Sequence, residues 1–357
     1  MRVFLTCLAL DQDHPILSHM TEWVRQFSNT PGIENITVVS PLIGRFEPKE
    51  NIRVRSIGRS SRFATLFAFY KEVFAAQRQG IDAFFVCQGG PYPGLLFPVR
   101  LLTGKPVFVW WAHSLIPMYH RLCARYCDTR VFTATESSFP LPLANRRVVG
   151  HGINTDTFRP IAQGGFDGLV TVARVSPIKK IERMIDLVAI HRNRSGTVVP
   201  LHIYGPTEQK DIHYHRELEN QVERLGLENA VHFHGAVPRS QLPWILSRHK
   251  VFLHFCPGAL DKAVLEAMAC GVPVLSDNVC VAEALPTEMC ARLVFPEASL
   301  ESAADRLQAL LALDEAETAH LANDLRANII AHHDLGRLFN RIYEEMNLAI
   351  REDGTRK

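Results

Sequence analysis

Two tandem α/β domains, each an open parallel sheet with helices on both faces, are what this sequence predicts. Three observations lead there. Strand-like apolar runs alternate with helix-period stretches from end to end, the pattern of successive βαβ units. At 357 residues the chain is too long for one ordinary core, so two domains of about 150–180 residues are the natural division. Between them, residues 150–160 are turn-rich without periodicity, and 161–168 add three glycines, which marks an interdomain linker.

In the first half, strands are expected at 3–10, 36–41, 51–57, 83–88, 107–112, 131–134 and 148–149, with helices over 16–28, 62–79, 93–103 and 117–126. The opening apolar run of about eight residues, ending before Asp11, reads as a buried strand. It lacks the charged-apolar-small order of a leader. A second alternation follows the linker: strand 169–174, helix 177–192, strand 200–204, helix 213–225, strand 231–234, helix 239–248, strand 251–255, helix 261–270 and strand 274–275. Leu335, Leu338, Phe339, Ile342 and Met346 repeat at helical spacing and place a final helix at 334–350. No repeat of 20–50 residues and no low-complexity tract stands out.

Composition narrows the function classes. Hydrophobic content of 47% and charged content of 21% describe a folded chain. No run of about eighteen apolar residues exists, so no membrane span is expected and a cytoplasmic location follows. The eight cysteines lack any C-x-x-C pair; Cys123 and Cys127, four apart, suit reduced thiols on a helix. His232 with His234, and His213 with His215, have no nearby carboxylate or cysteine set, so no metal site is expected. Residues 1–150 carry 17 Lys and Arg against 10 Asp and Glu, while 151–357 carry 22 against 27. A first half of +7 beside a remainder of −5 suggests an anionic partner for the first, such as a phosphorylated acceptor or an acidic membrane surface. Nucleic acid fits less well, because no dense basic stripe with interleaved aromatics appears.

The most informative stretch is 251–278, VFLHFCPGALDKAVLEAMACGVPVLSDN. It reads as buried strand, turn, helix, Gly271 stop and second buried strand. A helix N-terminus after such a turn favours an anionic group. Glu266, one turn into the helix, is placed to accept hydrogen bonds from sugar hydroxyls, so the unit suggests a sugar-nucleotide site. Arg174 falls at the carboxyl end of strand 169–174, the edge where open α/β sheets bind ligands. Ser176 makes a good N-cap and Pro177 a good first helical residue. Ile178, Ile181, Ile185 and Val188 supply the buried face. Lys179 then lies at a helix start, where a cation has no local purpose. A diphosphate between Arg174 and Lys179 explains both.

The run 173–179, ARVSPIK, resembles the G-R-x-x-x-x-K motif of the retaining glycosyltransferases of family 4. Residues 151–160 resemble that family's linker, 201–206 and 231–237 its second and third C-domain strands, and 265–274, LEAMACGVPV, is the nearest match. The first half matches mainly in strand order and in WWAHS at 110–114. The resemblance implies the GT-B fold, two Rossmann-like domains whose parallel sheets face a central cleft. It implies an acceptor domain at 1–152 with a C-terminal helix at 334–357 packed back on it, a linker at 153–168 and a donor domain at 169–333. By the same resemblance Arg174 and Lys179 hold the donor diphosphate, Glu266 binds the ribose, and the loop at Ala236 and Val237 after strand 231–234, like Gly205, borders the nucleotide. His113 would bind the donor sugar near its anomeric carbon. Where the family has a second glutamate, this chain has Gly258, and the turn runs Gly258, Ala259, Leu260, Asp261, Lys262. Asp261 either takes over a sugar hydroxyl or merely caps the helix, and Lys262 either adds charge at the phosphate or lies at the surface.

Other features keep two readings. Glycines at 88–91 allow close ligand approach or simply make a turn. Polar residues 11–15 shape the acceptor side. Phe63, Leu66, Phe67, Tyr70, Val73 and Phe74 lie on one helical face beside Arg59, Arg62 and Lys71, a stripe that packs on the sheet or touches an anionic membrane. The function expected is transfer, with retention and without a metal or other cofactor, of a hexose-type sugar from a nucleoside diphosphate to a glycan or lipid-linked acceptor. The rivals are a sugar-nucleotide epimerase on the same fold and a non-catalytic glycan- or nucleotide-binding subunit.

Overall fold

A computed structural model describes residues 1–14, 17–59, 61–161, 166–297 and 299–355, the side chains of 353–355 excepted. Residues 15 and 16 of the first loop and helix, 162–165 of the expected linker and 356–357 of the terminal segment lie outside the described residues. The chain forms two compact units, one of Met1–Gly152 with the segment from Asp334 onward, the other of Ile153–His333.

The first unit is built on a seven-stranded, wholly parallel sheet. Its order is Ile52–Ser56, Asn35–Ser40, Arg2–Thr6, Ala83–Cys87, Val107–Trp110, Arg130–Thr133, Arg146–Val148. The interior strand Arg2–Thr6 is buried on both faces from Val3 on and alternates between two cores, as a period of two requires. Val3 and Leu5 face one core with Trp23, Phe27, Leu338 and Phe339. Phe4 faces the other with Phe69, Val73, Leu96 and Ala124. Helices His19–Asn29 and Leu335–Thr355 therefore cover one side, and Arg62–Arg78, Tyr92–Thr103 and Met118–Tyr126 the other. Rings lock the first core: Phe27 stacks on Phe339 at 5.0 Å, and Trp23 meets Trp110 edge-on at 4.7 Å.

The second unit holds a five-stranded parallel sheet in the order Val231–Gly235, Leu201–Tyr204, Leu169–Val172, Val251–His254, Val274–Ser276. From Leu169–Val172 the chain adds two strands on one side, then crosses to add two on the other. Four helices not expected from the sequence follow: Val279–Glu283, Thr287–Leu293, Leu300–Leu311 and Glu315–His333. Among the described residues no helix is long and apolar enough to cross a membrane.

Several local expectations need correction. The strand expected over 3–10 is two pieces, Arg2–Thr6 and Ala9–Leu10; the second leaves the main sheet to pair with Leu42–Ile43. No α-helix begins at Pro177. Ser176 makes no side-chain cap bond, Pro177–Lys179 is a 3₁₀ turn, and Lys180 at φ +51° cannot continue a right-handed helix. The α-helix is Ile181–Ser195, and its first N–H donates to the Tyr214 hydroxyl at 3.0 Å. Ile178 is consequently exposed, while Ile181, Ile185 and Val188 are buried. Likewise 239–248 is a 3₁₀ turn, Arg239–Gln241, then a short helix, Leu242–Ser247.

One buried polar pair stands out in the first unit. His120 and Asp128 lie 3.7 Å apart with no water access, and their side chains make no hydrogen bond. Burial pushes the Asp128 carboxyl up to about 8 and the His120 imidazole down to about 4. Between the ordinary 3.8 and about 8 the folded state keeps a proton that the unfolded chain releases, so Asp128 costs stability as pH rises through that window. Asp128→Asn should therefore raise Tm more at pH about 8 than at about 5; an equal gain at both would contradict the assignment. Phe339→Ala, which empties the ring stack, should cost about 3–5 kcal/mol in urea unfolding, and a cost under about 1 kcal/mol would show that the terminal helix contributes little to the core.

Candidate functional site

Parallel strands put all their carboxyl ends on one edge, and in open α/β sheets the crevice forms where the winding reverses. In the second unit that point lies between Leu169–Val172 and Val251–His254. Two loops leave it side by side, 173–180 and 255–261. The first carries Arg174 and Lys179, the second the turn from Cys256 to Asp261.

The loops are tied by an ion pair, Lys179 Nζ to Asp261 Oδ2 at 2.5 Å, both groups partly buried. Asp261 occupies the N-cap position of helix Lys262–Ala269 with extended backbone, φ −79° and ψ 136°, yet its side chain makes no cap bond. Its carboxylate faces Lys179 and, at 3.8 Å, His254 Nε2. Capping is thus not its role. Burial alone would raise the Asp261 carboxyl, but the Lys179 ammonium and the His254 imidazole hold it far below the ordinary carboxylate range. Burial would lower the Lys179 amine, and the Asp261 charge reverses that, leaving it raised. His254 is fixed from behind by Ser276 Oγ, 3.0 Å from its Nδ1.

Arg174 sits two residues beyond its strand, not within it, and donates from Nη1 to Glu208 Oε1 at 2.7 Å. Lys210 and Arg174 together lower the Glu208 carboxyl. Glu266 is a buried helical residue whose Oε1 accepts from Arg239 Nη2 at 2.6 Å. Arg239 in turn lies over the Phe158 ring at 4.9 Å. Gly205 has φ +147°, and a Cβ there would strike the Ala173 carbonyl, so this glycine serves close strand packing. Ala236 is exposed and Val237 half-buried in the loop past Gly235.

The Gly258 turn has φ +101°, which suits glycine, and its carbonyl accepts from Asn278 Nδ2 at 3.2 Å and Cys280 Sγ at 3.1 Å. Gly258 is exposed, Ala259 and Lys262 half-buried and Leu260 buried. Lys179 and Asp261 are therefore brought together. Arg174, Gly205, Ala236, Val237, Gly258 and Glu266 belong to the same unit, with Arg174 and Glu266 each engaged with its own partner. Arg239 and Asn278 were not legible as site residues: a lone turn arginine and a lone N-cap asparagine carry no distinctive spacing.

His113 belongs to the first unit. It lies in the loop three residues past Trp110, not in the strand, is exposed, and its Nδ1 accepts the Leu115 N–H at 3.1 Å. In the 88–91 turn, Gln88, Gly89 and Gly90 all have positive φ, and the Trp111 ring fills the space beside Gly89. Those glycines thus serve a packed turn. Asp11 accepts the Asp13 and Arg45 N–H groups, and Arg45 pairs with Asp13 at 2.6 Å, so this loop is braced within its own unit.

Comparison with known proteins gives three results. Residues 156–329 match the family model described as glycosyl transferases group 1. No curated protein matches the sequence. Among solved structures, Anabaena HepE in complex with UDP is similar at 17% identity, TM-score 0.79, covering 97% of this chain and 100% of that one. Sucrose-phosphate synthase from Thermosynechococcus elongatus is similar at 16% identity, TM-score 0.74, covering 98% and 100%. The lipopolysaccharide outer core galactosyltransferase WaaB is similar at 14% identity, TM-score 0.69, covering 99% of each. The chain has the two-domain GT-B fold. Arg239→Leu, which strands the buried Glu266 carboxylate, should cost about 3–5 kcal/mol. Adding Glu266→Gln should recover part of that loss in a double-mutant cycle, and strictly additive losses would deny the pairing.

Proposed function

We propose that this chain is a retaining, metal-independent glycosyltransferase of family 4, moving a hexose-type sugar from a nucleoside diphosphate to a glycan or lipid-linked acceptor. One observation carries the proposal. Arg174 and Lys179 leave the same strand end at the winding reversal, each held by a carboxylate, Glu208 and Asp261, that a diphosphate can replace. The match at 156–329 and the fold support it. HepE was solved with UDP and with UDP-glucose, which favours a UDP-sugar donor here.

In this mechanism negative charge grows on the departing nucleoside diphosphate. Arg174, Lys179 and the backbone N–H groups of 259–261 stabilise it more as it grows, which lowers the barrier. Glu266, oriented by Arg239, accepts from the ribose hydroxyls. Ala236 and Val237 border the base, and Lys262 adds charge near the phosphates. Same-face attack lets the leaving phosphate oxygen take the acceptor proton, and His113 contacts the sugar near its anomeric carbon. A non-catalytic subunit is favoured by one feature, the absence of a carboxylate at Gly258; an epimerase would transform the donor with no acceptor present.

The acceptor is proposed to be lipid-linked. Phe63, Phe67, Leu101, Leu102, Leu122 and Tyr126 are exposed on the three helices that cover one face of the first unit. Exposed Arg62, Lys71, Arg121 and Arg125 accompany them. Apolar and basic groups together suit an anionic lipid surface.

Three measurements test these statements. UDP at about 100 times its Kd should add about 2.7 kcal/mol of stability, and no shift with UDP, GDP or ADP would overturn nucleotide binding. Arg174→Ala should lower turnover of a UDP-sugar with acceptor by about 10²–10³-fold; unchanged turnover would misplace the site. Sedimentation with anionic liposomes at low salt should carry the chain down, and a wholly unbound chain would remove the membrane contact.

A further inference from the structure

The end of strand Val251–His254 and the loop after it gather three side chains able to ligate a metal that sequence spacing did not reveal. His254, Cys256 and Asp261 offer a nitrogen, a sulfur and a carboxylate oxygen that all lie within 4.8 Å of one another. They are the one such group of three among the described residues. His254 and Cys256 are buried, Asp261 partly so. His254 Nε2 is a buried nitrogen with no hydrogen-bond partner, and it points toward Asp261 Oδ2 at 3.8 Å. Its other nitrogen meets Ser276 Oγ at 3.0 Å, the outer contact that orients a ligating imidazole.

We infer that His254 Nε2, Cys256 Sγ and Asp261 Oδ2 bind one zinc-class divalent ion, with a fourth position open to water. A mixed nitrogen, sulfur and oxygen set suits Zn²⁺ over Mg²⁺ or Ca²⁺, which take oxygen ligands. Bonds of about 2.0–2.3 Å put tetrahedral ligands roughly 3.5 Å apart, so His254 Nε2 and Asp261 Oδ2, at 3.8 Å, nearly have that spacing already, and Cys256 Sγ lies within 4.8 Å of both. Cys256 releases its thiol proton to solvent as it ligates. Lys179 Nζ already sits on Asp261 Oδ2 at 2.5 Å, so ion and ammonium compete for one oxygen. The ion is therefore not a cofactor of the transfer proposed above, and the site does not depend on that reading.

The test uses the full chain, stripped with chelator and titrated with Co²⁺ and then Zn²⁺ alone. One equivalent of Co²⁺ should bind with a thiolate-to-metal charge-transfer absorption, which Zn²⁺ displaces. Cys256→Ser should lose that absorption and His254→Gln should lose uptake; where the buried histidine variant fails to fold, Cys256→Ser carries the test. Lys179→Met, which removes the competing ammonium, should bind the ion about tenfold more tightly. No uptake by the unaltered chain, or undiminished absorption in Cys256→Ser, overturns the site, and unchanged affinity in Lys179→Met overturns the shared oxygen.

Discussion

The ion pair between Lys179 and Asp261 fixes the business edge of the second unit. Its partners come from loops that leave neighbouring parallel strands, so one contact sets the distance between those loops. Partial burial strengthens the attraction, because fewer water dipoles and salt ions screen it. The pair also explains two local oddities. Asp261 stands at the start of a helix without capping it, and Lys180 accepts a left-handed backbone so that Lys179 can turn back toward the carboxylate.

Around that contact the remaining charged groups are also neutralised in place. Arg174 lies on Glu208, and Glu266 on Arg239. A cation held by a carboxylate is pre-positioned, and an incoming anion inherits its orientation while meeting a competitor. On the proposed reading, diphosphate binding here is an exchange of partners. The strength of such an exchange depends on how well each carboxylate is solvated once released, and Glu208, 36% exposed, is somewhat better placed for that than Asp261, 27% exposed.

The sheets were legible because parallel strands buried on both faces read as nearly continuous apolar runs. Fold class and the alternation of strands and helices therefore came through, and 107–112 or 169–174 missed only by two residues at the end. Failures arose where local signals competed with tertiary ones. Apolar character runs through residues 3–10 with only Thr6 interrupting it, yet the chain departs the sheet after Thr6 because Ala9–Leu10 find another partner strand. Ser176-Pro177 carries the signature of a helix start, but the backbone there serves the Lys179 contact instead. At the candidate site the sequence singled out Arg174, Lys179, Asp261 and Glu266 but not Glu208 or Arg239, because nothing in the spacing of 174, 179, 208, 239, 261 and 266 says which acid meets which base.

The C-terminal helix has a consequence for synthesis. Because Leu338, Phe339, Ile342 and Met346 fill the core beside Trp23 and Phe27, the first unit is assembled from two stretches of the polypeptide that the whole second unit separates. The second is a continuous stretch and can mature on the ribosome while its neighbour still lacks a wall. During translation the nascent first sheet must keep one apolar face shielded until residues 335–350 emerge, which makes it the stage most exposed to aggregation and to chaperone capture.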